Sequence, residues 1–165
     1  MLIFLDVDGV LIPLRARPSG PTASGASTAS TASTALGDDA GNPLLQRLDP
    51  RDGARLRSLG GDLIWATTWM HDANDVIAPR LSLPRLPVVD FPDDFDAGPG
   101  LHWKTVYLTR WAAGRPFVWL DDEVTEADRR WVADHHAGRA LLHRVDPLVG
   151  LAEADLATVR HWLKP

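Results

Sequence analysis

Residues 2–9 read LIFLDVDG, an apolar run that ends in two aspartates and a glycine. A short run of this kind is typical of a strand that is buried on both faces of a parallel sheet. Residues 117–123, FVWLDDE, repeat the pattern of an apolar strand that ends in acids. In open parallel sheets, ligands bind beyond the carboxyl ends of the strands. The two acidic groups are therefore expected to meet at one edge of the sheet if their strands are neighbours.

The rest of the chain alternates between strand and helix patterns. Further strands are predicted at 63–66, 86–89 and 140–145, and helices at 50–59, 72–80, 103–113, 125–136 and 152–163. This order predicts an α/β fold, a three-layer Rossmann-like parallel sheet with helices on both faces. Residues 18–42, which are rich in Ser, Thr, Ala and Gly, are predicted to be a flexible insertion in a single domain that spans 1–165.

Composition narrows the class of protein. The net charge of −5 provides no general attraction to nucleic acid or to an anionic membrane. The absence of cysteine excludes disulfides, thiolate metal sites and cysteine nucleophiles. We expect a cytoplasmic protein, because the sequence shows neither a signal-peptide pattern nor an apolar stretch of membrane-spanning length.

The acids at the two strand ends indicate a cation site. Carboxylates packed together raise one another's pKa unless a cation neutralises them, and Mg²⁺ prefers such oxygen ligands. Two other interpretations exist for residues 6–9. An Asp-Gly pair is a common turn signal, and a calcium loop would need Glu rather than Arg17 at its twelfth position. For Asp121 and Asp122 alone, an ordinary role as acids before a helix is the simpler interpretation.

Two further residues follow at suitable places. Thr67 or Thr68, at the end of the second strand, carries a hydroxyl that could bind a phosphate oxygen, although threonine is also an ordinary strand residue. Lysine occurs only at Lys104 and Lys164 in a chain that otherwise uses arginine. A cation is unfavourable at the start of a helix, because it lies next to the positive end of the helix dipole. A lysine at this position therefore indicates that a compact ammonium group is needed there. A chance surface position is the alternative for Lys104.

Together these residues resemble the haloacid dehalogenase (HAD) superfamily, whose motifs are Asp-x-Asp, Thr/Ser, Lys and paired acids, in that order. The resemblance implies an Mg²⁺-dependent phosphomonoester hydrolase that forms an aspartyl-phosphate. Asp6 would be the nucleophile and Asp8 the acid/base, as in phosphatases of the superfamily. Thr67, preferred over Thr68, and Lys104 would bind the phosphate. The metal ligands would be Asp6, Asp8 through its backbone carbonyl, Asp121 and Asp122.

The lengths of the intervening segments resemble a capless member, with similarity to the HAD domains of RNA-repair-type proteins around residues 65–74. The expected partner is a phosphorylated small molecule or a nucleic-acid end, in an open site that a homo-oligomer or a loop would close over a small substrate. The insertion either borders that site or is passive. Trp69 and Trp103 either stack on a base or, as the simpler interpretation, pack against the core. The alternatives to an enzyme are a non-catalytic module that binds phosphate or Mg²⁺, and an interaction domain.

Overall fold

A computed structural model describes residues 1–15, 42–92 and 100–164. Its sheet contains four parallel strands in the order β2-β1-β3-β4. The strands are β1 (Leu2–Leu5), β2 (Asp62–Trp65), β3 (Phe117–Asp121) and β4 (Ala140–Arg144). The insertion predicted at 18–42 lies outside the described residues except for Asn42.

Helices alternate with these strands along the chain. They are α1 (Arg51–Arg57), α2 (a π-helical turn Ala73–Ile77 followed by Ala78–Arg80), α3 (Thr105–Ala112), α4 (Glu126–His135) and α5 (Glu153–Leu163). A 3₁₀ turn, Pro43–Arg47, precedes α1. None of the helices in the described ranges is long and apolar enough to cross a membrane.

The core lies on both faces of the sheet, because successive strand residues point in opposite directions. On one face, residues such as Ile3 and Leu5 pack against α1, α2 and α5. On the other face, Leu2 and Phe4 pack against α3 and α4. All four of these β1 side chains are nearly or fully buried. The predicted α/β fold with helices on both faces is therefore confirmed.

The strand predicted at 86–89 is present only as a single bridge between Val88 and Trp65. Trp65 N–H donates to the Pro87 carbonyl, and Val89 N–H donates to the Trp65 carbonyl, both at 2.9 Å. Proline has no N–H to donate to a ladder, which explains why the segment pairs so briefly. Pro79 likewise has no N–H to donate within α2, where the predicted regular helix begins as a π-helical turn.

Sheet register brings the ends of three strands together. Leu5 pairs with Trp65 on one side and with Leu120 on the other. Asp6 N–H then donates to the Leu120 carbonyl at 3.1 Å, which holds Asp6 beside the end of β3. The carboxyl edge of the sheet therefore collects the residues that follow β1, β2 and β3.

Candidate active site

Lys104 lies at the centre of the carboxyl edge, immediately before α3. Its Nζ donates to Asp6 Oδ2 at 2.7 Å and to Asp121 Oδ2 at 2.8 Å, and the lysine side chain is 3% exposed. Burial opposes the charge of Lys104, but the carboxylates of Asp6 and Asp121 outweigh that cost and raise the pKa of the ammonium. The buried ammonium of Lys104 therefore links the carboxylate that follows β1 to the carboxylate that ends β3.

Asp6 is held at both of its carboxylate oxygens. Oδ1 accepts the Val7 N–H at 2.8 Å, while Oδ2 accepts from Lys104. Burial raises the pKa of Asp6 to about 7, against the lowering effect of Lys104 and together with the negative charge of Asp121. Without a further cation, Asp6 is thus protonated over part of the physiological pH range.

Asp121 and Asp122 complete a group of three acids with Asp6. Asp121 is fully buried; its Oδ1 accepts the Glu123 N–H at 2.9 Å and its Oδ2 accepts from Trp119 Nε1 at 3.2 Å. Burial and the charge of Asp121 raise the pKa of Asp122. One carboxylate oxygen from each of the three acids lies within 4.8 Å of the others. This all-oxygen set, with a raised pKa at Asp6 and Asp122, fits a hard divalent cation such as Mg²⁺.

Gly9 permits the close approach of Asp122. Its φ is +70°, in the left-handed region that favours glycine. A Cβ at this position would lie 2.4 Å from Asp122 Cγ, so a side chain there would displace the carboxylate. The Asp-Gly turn is therefore present. It makes room for the Asp122 carboxylate, so the turn is compatible with a group of acids at this edge.

The Asp8 carboxylate is exposed and takes no part in the three-acid group. Its Oδ2 accepts a hydrogen bond from Trp69 Nε1 at 2.9 Å. Thr67 is fully buried just after β2, and its Oγ1 accepts the Trp69 N–H at 3.3 Å, whereas Thr68 is exposed. Trp69 is partly buried against the core, as the simpler interpretation predicts, but its link to Asp8 was not predicted.

Trp103 also lies close to Lys104. Its ring centroid is 5.3 Å from Lys104 Nζ, and Phe91 meets the ring edge-on with a centroid separation of 4.7 Å. The partly buried indole thus borders the lysine while packing against another aromatic side chain.

His102, to which the sequence assigns no role, supports the lysine. Its Nδ1 accepts the Lys104 N–H at 3.2 Å, which leaves Nε2 to donate to Glu123 Oε2 at 3.1 Å. The sequence signal for this contact was the position of His102, two residues before Lys104. The partner Glu123 follows β3 and is distant in sequence.

Asp128 links the same loop to α4. It forms a capping box with Thr125, and its Oδ1 also accepts from His102 N–H at 2.8 Å and Thr105 Oγ1 at 2.6 Å. Burial alone would raise the pKa of Asp128, but hydrogen bonds from Thr105, Thr125 and His102 lower it. One fully buried carboxylate therefore holds the start of α3, and with it Lys104, against α4.

A family model described as the HAD domain in Swiss Army Knife RNA repair proteins matches residues 2–156. Because the match covers almost the whole chain, the protein belongs to this family. The resemblance to the haloacid dehalogenase superfamily and to RNA-repair-type domains is thus confirmed, and the described residues contain no large cap. No curated protein matched the chain. Nor did any solved structure.

Proposed function

We propose that the protein is a Mg²⁺-dependent phosphomonoester hydrolase that acts through an aspartyl-phosphate on Asp6. The observation that carries the proposal is the ion-pair arrangement at the sheet edge. Lys104 binds Asp6 and Asp121 at once, and Asp122 adds a third carboxylate within reach. A buried ammonium beside a carboxylate nucleophile is suited to hold the negative oxygens of a phosphoryl group.

In the first step, a carboxylate oxygen of Asp6 attacks phosphorus and the bond to the leaving oxygen breaks. Asp8 gives its proton to that oxygen, so the product leaves as an alcohol. In the second step, Asp8 takes a proton from a water molecule whose oxygen attacks phosphorus. The acyl-phosphate bond breaks, inorganic phosphate is released and the carboxylate of Asp6 returns. Lys104 and Thr67 hold the phosphoryl oxygens during both steps.

The side chains of Asp6, Asp121 and Asp122, with the backbone carbonyl of Asp8, would hold Mg²⁺. When bound, the ion supplies positive charge that offsets the charge of the acids and of the phosphoryl group. The raised pKa of Asp6 in the metal-free protein supports this assignment, since a nucleophilic carboxylate has to be ionised.

The substrate class that we propose is a phosphate monoester on a nucleotide or a nucleic-acid end, acted on in the cytoplasm. The family description names RNA repair, which favours a phosphorylated RNA end. No large cap covers the sheet edge among the described residues, which supports a polymer end as the substrate. A second copy of the chain that covers the site would instead favour a small substrate.

The test is hydrolysis of an aryl phosphate with and without Mg²⁺, followed by a panel of mononucleotides and of 3′- and 5′-phosphorylated oligonucleotides. We expect Mg²⁺-dependent turnover that Asp6→Asn abolishes, with phosphate trapped on Asp6 in the native chain. Asp134→Asn, at an exposed position of α4, is the matched control and should retain activity. Absence of turnover across the panel, with Mg²⁺ binding intact by calorimetry, would instead favour a non-catalytic Mg²⁺- or phosphate-binding module.

A further inference from the structure

The side chains of Trp69 and Asp8 meet across 61 positions of sequence. The indole Nε1–H donates to Asp8 Oδ2 at 2.9 Å. Asp8 is exposed, whereas Trp69 is partly buried and rests against the core face that carries α1 and α2. An exposed carboxylate is thus hydrogen-bonded to a side chain that packing holds in place.

The chemistry of the indole limits what Asp8 can do. Indole N–H is a donor without acceptor capacity. Oδ2 of Asp8 is therefore engaged as an acceptor, and Oδ1 is the oxygen left to exchange a proton with the substrate. An exposed aspartate without such a partner would populate several rotamers, and a displacement of about 1 Å is enough to slow a positioned proton transfer.

The loop after β2 is built to present this indole. The backbone N–H of Trp69 donates to Thr67 Oγ1 at 3.3 Å, and the Trp69 carbonyl accepts the Asp72 N–H at 3.0 Å. Met70, the next residue, has a φ of +48°, which is uncommon for a residue other than glycine. Both the backbone and the ring of Trp69 are thus held, and strained backbone of this kind is often found at functional sites.

We propose that Trp69 is a positioning residue that orients Asp8 as the general acid, with Oδ1 directed to the leaving oxygen. The proposal rests on the function proposed above and adds a residue to it. The indole of Trp69 reaches the site through its hydrogen bond to Asp8, so its effect passes through that carboxylate.

The test compares kcat/KM for two aryl phosphates in the native chain and in Trp69→Phe, which keeps an aromatic ring but removes the N–H donor. Phenyl phosphate has a poor leaving group that needs protonation, whereas dinitrophenyl phosphate does not. We expect a loss of about tenfold or more with phenyl phosphate, a part of what a general acid supplies. With dinitrophenyl phosphate we expect a loss of less than about twofold, because its leaving group departs with little need for a proton from Asp8.

Two controls separate positioning from a structural effect. Trp131→Phe changes a partly buried tryptophan of α4 that stacks on His135, and it should leave both rates unchanged. Asp8→Asn should show the same leaving-group dependence as Trp69→Phe, and the double variant should lose little more than Asp8→Asn. An equal loss on both substrates in Trp69→Phe would overturn the proposal.

A second measurement does not depend on turnover. In protein labelled with ¹⁵N-tryptophan, the Trp69 indole signal is the one absent from Trp69→Phe. We expect Asp8→Ala to move that signal upfield, because a charge-assisted hydrogen bond is lost. An unmoved signal would overturn the proposal even if the native chain is an active phosphatase. Absence of turnover by the native chain on these aryl phosphates and on the panel of mononucleotides and phosphorylated oligonucleotides would refute the proposed function, and the positioning role with it, whatever the signal does.

Discussion

Replacement of Lys104 by methionine should lower the free energy of unfolding by about 3 kcal/mol in metal-free buffer at pH 8, the low end of the range for breaking a buried ion pair. Methionine has a similar unbranched stem, so the change removes the charge while leaving packing largely intact. The lysine bridges Asp6 and Asp121 at 2.7 and 2.8 Å, and its side chain is 3% exposed. Two nearly buried carboxylates would then face each other without a cation.

The loss should depend on Mg²⁺ and on pH. A divalent ion bound by the acids would replace part of the missing charge, so millimolar Mg²⁺ should recover part of the stability of Lys104→Met. Burial has already raised the pKa of Asp6 to about 7 in the native chain. Because a raised carboxyl pKa favours the folded state at low pH, the penalty should shrink as the pH falls from 8 to 5 and Asp6 becomes neutral.

Urea unfolding at several pH values, with and without Mg²⁺, measures these effects. Lys164→Met is the matched control, since Lys164 is the other lysine of the chain and is exposed. We expect the control to change the free energy of unfolding by less than about 0.5 kcal/mol. A Lys104→Met penalty below about 1 kcal/mol in metal-free buffer at pH 8, or one that matches Lys164→Met, would refute the argument that Lys104 holds the acids together.

Three further outcomes follow from the same geometry. Mg²⁺ binding at pH 6, below the pKa of about 7 for Asp6, should release close to one proton, and binding at pH 8.5 should release much less. Calorimetry in buffers of different ionisation enthalpy measures the number of protons released, and equal release at the two pH values would contradict this expectation. Gly9→Ala should weaken Mg²⁺ affinity by about tenfold through displacement of Asp122. Gly100→Ala has the same left-handed backbone strain, but no neighbour in the described part of the chain lies within 4 Å of its Cβ, and it should not weaken Mg²⁺ affinity. Asp128→Asn should cost about 2 kcal/mol at pH 7, because a charged acceptor of several hydrogen bonds is lost. The pKa of Asp128 is lowered, so its stabilising effect is lost as the pH falls through that pKa. A difference in the free energy of unfolding between the native chain and Asp128→Asn that does not change with pH in urea unfolding would contradict this.

The fold could be predicted because its pattern is local. Runs such as residues 2–5 have no polar side chain and need cover on both faces, which in a parallel sheet means helices on both sides. The prediction was less accurate where one residue changed the backbone. Pro87 reduced the strand predicted at 86–89 to a bridge, and Pro79 accompanies the π-helical start of α2.

The sequence by itself determined which acids could meet. The residues after neighbouring parallel strands share one edge, so Asp6 and Asp121 had to lie close together once the strands paired. The bias toward arginine also singled out Lys104, and the structure places that lysine between the two acids. The catalytic and metal-binding roles of these residues remain predictions.

Tertiary structure decided which side chains support those residues. The contacts of Trp69 with Asp8, of His102 with Glu123 and of Asp128 with Thr105 join segments that are 21 to 61 positions apart. Each contact depends on where the packing of helices on the sheet places the loops. The periodic pattern of apolar residues predicts the helices and strands but does not predict the positions of the loops. LIFLDVDG thus placed Asp6 and Asp8 at the carboxyl edge of the sheet, whereas the hydrogen bond that Asp8 accepts comes from a tryptophan that packing holds in the loop after β2.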